Sequence, residues 1–106
     1  MLKQIKKLIG ERVIIRSYGA GVFYGTLAEV EPIEDKYAVT LNDCRRLWCW
    51  YGACSLSQLA TEGTKQPSDC KFTVIVPTMC ITSVIEIIPT SDEAQKSIEG
   101  VNVWKS

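Results

Sequence analysis

The residues best suited to chemistry in this sequence lie in one stretch, DCRRLWCWYGAC, which runs from Asp43 to Cys54. On a β-strand alternate side chains face opposite sides, so Arg46, Trp48 and Trp50 would share one face. The opposite face would carry Arg45, Leu47, Cys49 and Tyr51. Two indoles beside a guanidinium can stack a flat heteroaromatic ring and hold an anionic oxygen at its edge. The stretch therefore predicts a binding surface for a nucleotide-type small molecule.

The same residue types leave two other interpretations open. Tryptophan, tyrosine and arginine are enriched at the centres of protein interfaces, so the surface could instead bind a protein partner. Trp48 and Trp50 could also be core side chains, with Arg46 lying over one indole as a cation–π lid. In the ligand-binding interpretation, Trp48 and Trp50 stack on the ligand, while Arg45 and Arg46 bind phosphate.

Two further side chains, Ser55 and Tyr24, extend the predicted site. Ser55 is followed three residues later by Gln58, a capping-box spacing, and Gly63 would end the short helix. The first turn of such a helix presents free backbone N–H groups and a positive partial charge, which suit phosphate or carboxylate. Ser55 could add a hydroxyl there, or it could serve only as the cap. Tyr24 lies near a predicted bend and could line a pocket.

The sequence offers little for acid–base, nucleophilic or metal chemistry. It has no histidine, the commonest general base and the usual partner of a nucleophilic serine or cysteine. We therefore predict a non-enzymatic protein with no catalytic residue and no cofactor. A metal site is disfavoured because the five cysteines form no C-x-x-C pair, and Cys44 and Cys49 would face opposite sides of a strand. Reduced thiols that fill gaps in the core are expected instead.

Length and charge narrow the class of protein. A chain of 106 residues, 46% of them hydrophobic, fits one globular domain. Its 12 basic and 12 acidic residues give a net charge of zero, which disfavours a nucleic-acid partner because that would need a basic stripe. No stretch approaches the roughly 18 apolar residues of a membrane span, and the N-terminus lacks the apolar core of a signal peptide. We expect a cytoplasmic protein without a membrane partner.

The single domain, residues 1–106, divides into three predicted parts. Residues 1–10, MLKQIKKLIG, predict a short amphipathic helix that could cover an open end of a sheet or dock a second subunit. Its apolar side would carry Leu2, Ile5, Leu8 and Ile9. Residues 11–89 predict a β-rich core, and residues 90–106 predict a short helix and a tail.

The β-rich part begins with RVIIRSYGAGVFYGTLAEVE, which predicts two strands joined at Gly19–Gly21. A polar link, EPIEDK, leads to the strand KYAVTLND, and a tight turn at Asn42–Asp43 leads into the aromatic strand, the fourth. KFTVIVP and MCITSVIEIIP predict two further runs, broken at Pro77 and buried on both faces.

The C-terminal part has its own helix signals. Thr90 and Glu93 have a capping-box spacing and predict a helix that ends at Gly100. The following VNVWKS would be a tail anchored by Trp104.

This order of elements predicts a mixed, mainly β fold. We expect a small bent barrel or curled antiparallel sheet, with short helices at both ends and one after the fourth strand. It looks like the small five-stranded barrels of the Sm-like or SH3-like kind, and GVFYGTLAEVE resembles the bent second strand of Sm-like proteins. The likeness concerns the fold alone, because fold does not fix function.

Two segments, RRLWCWYGACSLSQLATEGTKQPSDCKFTVIVP and VIEIIPTSDEAQKSIEGVNVW, give most of the chain a family resemblance. Together they resemble an uncharacterised family of small proteins encoded by tailed bacteriophages, over roughly residues 12 to 104. The resemblance implies a phage-encoded protein that acts in the host cytoplasm.

Small phage proteins without catalytic machinery commonly act by binding. Among such roles, sequestration of a nucleotide immune signal best fits an arginine–tryptophan row beside a helix start on a neutral chain, so we expect an anti-defence sponge for a nucleotide such as a cyclic nucleotide. We expect a homo-oligomer whose subunit contacts complete the pocket. The alternatives are a protein-interaction module that inhibits a host factor and, less favoured by the neutral charge, a protein that binds single-stranded nucleic acid.

Overall fold

A computed structural model describes residues 2–106 of the chain. In chain order its elements are α1 (Leu2–Lys6), β1 (Arg12–Ser17), β2 (Gly21–Ile33), β3 (Lys36–Cys49), α2 (Leu56–Glu62), a 3₁₀ turn (Pro67–Asp69), β4 (Lys71–Phe72), β5 (Val76–Pro89) and α3 (Asp92–Glu99). The mainly β fold, with short helices at both ends and one between, is confirmed. The middle helix follows the third strand, because two predicted strands are one.

The sheet has the strand order β2-β1-β5-β3-β4, and every pair of strands in it is antiparallel. β2 also pairs with β3, so β2 and β5 each lie against both β1 and β3. This double pairing curls the sheet on itself without making a clear barrel. The predicted curled antiparallel sheet is confirmed.

The predicted hairpin of the first two strands is also confirmed. Gly19 and Gly21 have φ angles of +86° and +106°, which glycine adopts without a steric penalty. Farther along β2, Gly25 lies where the strand bends across β3. A Cβ there would lie 3.0 Å from the carbonyl oxygen of Asn42, so a glycine allows the two backbones to approach closely.

The third and fourth predicted strands are one continuous strand, β3. The turn predicted at Asn42–Asp43 is wrong, because β3 runs through both residues. Asp43 has a φ of +49° and lies at a shift in the register with β2, so the polar pair forms a bulge rather than a turn. The link EPIEDK is mostly strand as well, since β2 continues to Ile33 and only Glu34–Asp35 turns.

The break predicted at Pro77 is also wrong. β5 begins at Val76 and includes Pro77, whereas residues 73–75 separate it from β4. The start of β5 pairs with β3 alone, so the proline, which has no N–H, lies where one side of the strand is unpaired. Burial on both faces is wrong too, because Ile75 is 55% exposed and Ile85 is 50% exposed.

The core consists of two clusters of buried side chains. The first lies between the sheet and the packed pair α2 and α3, and it includes Leu47, Phe72 and Ile98. The second lies inside the curl of the sheet and includes Phe23, Leu41 and Ile81. The hydrophobic faces of the strands and helices account for both clusters.

The predicted N-terminal helix covers one end of the curl. α1 ends at Lys6 and continues as turns, Leu8 packs against the second cluster, and the Gly10 amide donates to the carbonyl of Leu27. Met1 of the predicted helix lies outside the described residues.

The caps of α2 and α3 differ in how well the sequence predicted them. Ser55 caps α2 as expected, with its Oγ accepting a 3.1 Å hydrogen bond from the Gln58 amide. α3 is capped by Ser91 rather than Thr90, because the Thr90 hydroxyl donates to the carbonyl of Arg12 instead. The predicted end of this helix at Gly100 is confirmed.

The tail is anchored mainly by its backbone. Val101 is buried, Val103 forms a bridge with Phe72, and the Trp104 amide donates to the Phe72 carbonyl at 2.8 Å. The Trp104 ring itself is 46% exposed.

Candidate binding surface

A one-residue shift where β3 meets β4 decides which way the aromatic side chains point. Leu47 pairs with Phe72, but Cys49 pairs with Lys71, so β3 carries an extra residue at Trp48. Such a β-bulge displaces the alternation of side chains by one position. Side chains beyond the bulge therefore face opposite to the side that a regular strand predicts.

Trp48 and Trp50 consequently have different environments. Trp48 is 63% exposed, whereas Trp50 is half-buried and packs against the first core cluster. The structure does not bring the two predicted stacking residues together on one face. Trp48 is available to a ligand, and Trp50 mainly belongs to the core.

The Arg46 guanidinium forms a cation–π lid over a phenylalanine rather than an indole. Its Cζ lies 4.5 Å from the centroid of the Phe23 ring. Its Nη1 also donates a 2.7 Å hydrogen bond to the carbonyl of Ala20, in the β1–β2 turn. Arg46 as a whole is half-buried.

Arg45 lies on the opposite face of β3 and is only 2% exposed. Its Nε donates to the carbonyl of Thr73, and its Nη2 donates to that of Phe72. Its Nη1 donates to the carbonyls of Ile98 and Val101, at 3.1 and 3.0 Å. Burial lowers the pKa of this guanidinium. The predicted phosphate role of Arg45 needs correction, because four of its five N–H donors bind backbone carbonyls.

Ser55 is exposed and has the role of a cap. Its Oγ binds the Gln58 amide, and the Gln58 side chain in turn accepts a 2.8 Å hydrogen bond from the Cys54 amide. Two of the N–H groups that could have met an anion are therefore bonded within the cap. α2 has only seven residues, so its partial charge at this end is small.

Tyr24 lines a pocket, as the sequence suggested, but the pocket lies away from the tryptophans. Its hydroxyl donates to Oε2 of Glu99, which also accepts a 3.1 Å hydrogen bond from Arg12. Burial raises the pKa of Tyr24, and the neighbouring Glu99 raises it further. These side chains line a cavity of about 310 Å³ together with Asp43 and Arg45.

Two exposed tryptophans, Trp48 and Trp104, lie instead along the edge formed by β3, β4 and the tail. Phe72 is fully buried, so its neighbour Lys71 faces outward beside the bulge that carries Trp48. Lys71 Nζ lies 5.5 Å from the centroid of the Trp104 ring, which places that indole on the same outer side. We call Trp48, Lys71 and Trp104 the tryptophan face.

Sequence reasoning missed Lys71 as a site residue and gave Trp104 only the role of an anchor. The alternation of KFT around the buried Phe72 is the signal that could have placed Lys71 outward. No local signal relates the tail to β4, because their contact joins residues about thirty positions apart in the chain.

The five cysteines are free, and Cys44 and Cys70 are buried. Burial raises the pKa of the Cys44 thiol to about 11. Within residues 2–106, no group of three or more histidine, cysteine, aspartate or glutamate side chains is placed to hold a metal ion. No helix in the described part of the chain has the length and apolar character needed to cross a membrane.

Comparison with known proteins gives one family. Residues 10–98 match a family described as a domain of unknown function (DUF6948). No curated protein and no solved structure matches the chain significantly.

Proposed function

We propose that this chain, which belongs to the DUF6948 family, is a phage-encoded, non-enzymatic protein that binds a nucleotide-type ligand on its tryptophan face. Its role would be to sequester a nucleotide immune signal of the host. The observation that carries the proposal is the exposure of two indoles, Trp48 and Trp104, together with Lys71, which pairs beside the bulge of Trp48 and lies 5.5 Å from the Trp104 ring.

The indoles of this face suit the base of a nucleotide, and its cations suit the phosphate. A base stacked on an aromatic side chain contributes about 1–3 kcal/mol, and any base can stack because every base has a π-face. Lys71 offers a point charge to phosphate, and Lys105 follows Trp104 in the tail. Arg46 precedes Trp48 by two residues on β3 and would add a second cation beside Trp48.

A small nucleotide fits the rest of the molecule better than a long polynucleotide does. The net charge is zero, and a polynucleotide would be attracted by a basic stripe running along the surface. A mono- or dinucleotide needs only one or two stacks and one or two phosphate contacts, which the tryptophan face offers.

A host protein is the second candidate occupant. Two exposed valines make the same edge partly apolar. Val103 precedes Trp104 in the tail, Val74 follows β4 by two residues, and each is 44% exposed. Exposed tryptophans beside aliphatic side chains are typical of interface hot spots.

Isothermal titration calorimetry with mononucleotides and cyclic dinucleotides tests the proposal. We expect Trp48→Ala and Trp104→Ala each to weaken nucleotide binding about 5- to 150-fold, since each removes one stack. Lys71→Ala should weaken it less and should flatten its salt dependence. Tyr18→Ala is the matched control, because Tyr18 is 78% exposed on the β1–β2 turn and should leave affinity unchanged.

Absence of nucleotide binding by the folded wild-type protein at about 1 mM ligand would contradict the nucleotide proposal. Equal affinities for the wild type and both tryptophan variants would place any bound nucleotide elsewhere. In either case, loss of host-protein binding in Trp48→Ala and Trp104→Ala would favour the second candidate.

A further inference from the structure

An apolar groove of about 520 Å³ lies between α1, the β2–β3 turn and the middle of β5. Its apolar lining comes from all three elements and consists of Ile5, Leu8, Tyr37, Val84, Ile85 and Ile87. Ile85 is 50% exposed, and it is the extra residue of β5 at a register shift with β1, between Val84 and Glu86. An aliphatic side chain in that position is suited to contact with another surface.

The elements on the two sides of the groove carry opposite charges, while the charged residues that line the groove itself are Asp35, Lys36 and Glu86. On one side, the α1 segment carries three exposed lysines and no acidic residue, namely Lys3, Lys6 and Lys7. On the other side, the end of β2 and the turn carry four exposed carboxylates against one exposed lysine, namely Glu29, Glu31, Glu34 and Asp35 against Lys36. Within residues 2–106 the ion pairs are Arg12–Glu99 and Arg16–Glu86, so these lysines and carboxylates form no ion pair with one another there.

We infer that a second copy of this chain covers the groove, with α1 of each copy against the acidic β2–β3 turn of the other. A two-fold interface uses the same patch on both subunits, so that patch must be complementary to itself. An apolar floor between a basic and an acidic side meets this condition, because a two-fold rotation places each side against its opposite. The inference uses no residue of the tryptophan face and is independent of the proposed ligand.

A small molecule in the groove would leave these features unused. Pockets for small molecules place a few polar groups around an apolar centre to fix orientation. Here Glu86 is already bonded to Arg16 at 2.9 Å, and the other charged residues that line the groove, Asp35 and Lys36, both lie at the β2–β3 turn. A second copy has its own basic α1 and acidic turn, so it can pair with both charged sides at once.

Sedimentation velocity of the full chain from about 1 µM to about 1 mM tests the inference. We expect a concentration-dependent dimer whose Kd rises at least about tenfold in Ile85→Glu, which puts a charge on the apolar floor. Ile85 is half exposed, so this variant should fold, and circular dichroism checks that it does. Trp48→Ala and Lys65→Glu alter exposed residues outside the groove and serve as controls that should leave the dimer unchanged.

Charge reversal tests the proposed arrangement directly. Lys3→Glu with Lys6→Glu makes both sides acidic, and Glu31→Lys with Asp35→Lys makes the turn basic. Each double variant alone should dimerise at least about tenfold more weakly than the wild type, and an equimolar mixture of the two should recover the affinity. These four side chains are exposed, so the fold should tolerate the changes.

Three results would overturn the inference. A wild-type protein that stays monomeric at about 1 mM has no such interface. A dimer that survives Ile85→Glu unchanged uses another surface. Double variants whose mixture associates no better than each alone exclude the pairing of α1 with the turn.

Discussion

Arg45 and Arg46 are adjacent residues of the same type, and the strand that carries them gives them different roles. Arg46 lies over Phe23 at the surface, while Arg45 is 2% exposed and binds four backbone carbonyls. A buried charge is tolerated only when its donors are satisfied. Two of the acceptors lie at the C-terminal end of α3, where carbonyls carry a negative partial charge: Ile98 is in its last turn, and Val101 follows the Gly100 cap. Arg45 therefore joins the sheet to the end of this helix.

Replacement of each arginine by leucine should separate these roles. We expect Arg45→Leu to lower the free energy of unfolding by about 3–5 kcal/mol, because four backbone carbonyls, three of them in buried hydrogen bonds, lose their shared donor. Arg46→Leu should cost about 1 kcal/mol or less, since it removes one surface hydrogen bond and one cation–π contact. Urea titration followed by circular dichroism measures both losses. Equal losses would show that Arg45 does not hold the helix to the sheet.

For the strands, the sequence predicted which side chains alternate between the two faces, but it did not predict the register in which neighbouring strands pair. Val39 and Leu41 are two residues apart on the predicted strand KYAVTLND and are both buried, and the glycines at the first hairpin adopt the positive φ angles of the predicted turn. The polar pair Asn42–Asp43 has turn chemistry, yet it forms a bulge because β2 lies alongside and supplies pairing on either side of it. A single-sequence pattern contains no information about that neighbour.

The prediction that Trp48 and Trp50 share one face was wrong for the same reason. The period of two placed Trp48 and Trp50 together, but the register shift against β4 turned Trp50 into the core. β4 has only two residues, so its partner could not be recognised from local composition. The alternation did place Arg45 and Arg46 on opposite faces. That part of the interpretation agrees with the structure, in which Arg45 is 2% exposed and Arg46 is half-buried.

The packing of α2 against α3 depends on Gly63, which ends α2. Gly63 has a φ of +78°, and a Cβ there would lie 2.3 Å from the Cβ of Ser97 on α3. We expect Gly63→Ala to destabilise the protein by about 3–5 kcal/mol, because backbone strain and overlap add. Gly19→Ala is the matched control: its φ is +86°, but the space around it is open, so only the strain of about 1–2 kcal/mol applies. Similar losses in thermal or urea unfolding would show that the two helices can move apart at little cost.

In the whole molecule, side chains from two strands of the curled sheet bind one carboxylate on the C-terminal helix. Tyr24 on β2 donates to Glu99 at the end of α3, and Arg12 on β1 binds the same carboxylate. Cys44 lies in the second core cluster, inside the curl. Because Tyr24 and Cys44 are both neutral and buried, the fold resists their ionisation, and its stability depends on pH above the neutral range.

The direction of that dependence follows from the two pKa shifts. Burial raises the pKa of Cys44 to about 11, and burial together with Glu99 raises that of Tyr24 above its ordinary value of 10.0. The stabilisation is complete while each group is protonated in the unfolded chain too, below pH 9 to 10. It is lost as the pH rises, since the unfolded chain then releases protons that the folded chain retains. Each group contributes a slope of up to about 1.4 kcal/mol per pH unit.

Urea unfolding at pH 8, 10 and 11 should therefore show a free energy that falls with pH, and the fall should be shallower in Tyr24→Phe above pH 10. At pH 8 the same variant should be less stable than the wild type by about 1–3 kcal/mol, since it loses a hydrogen bond to a carboxylate. Tyr18→Phe, at an exposed ring, is the control and should follow the wild-type curve. Parallel curves for the wild type and Tyr24→Phe would mean that Tyr24 ionises as readily in the folded chain as in the unfolded one. The link from the sheet to α3 would then rest on Arg45 and Arg12 rather than on a buried neutral phenol.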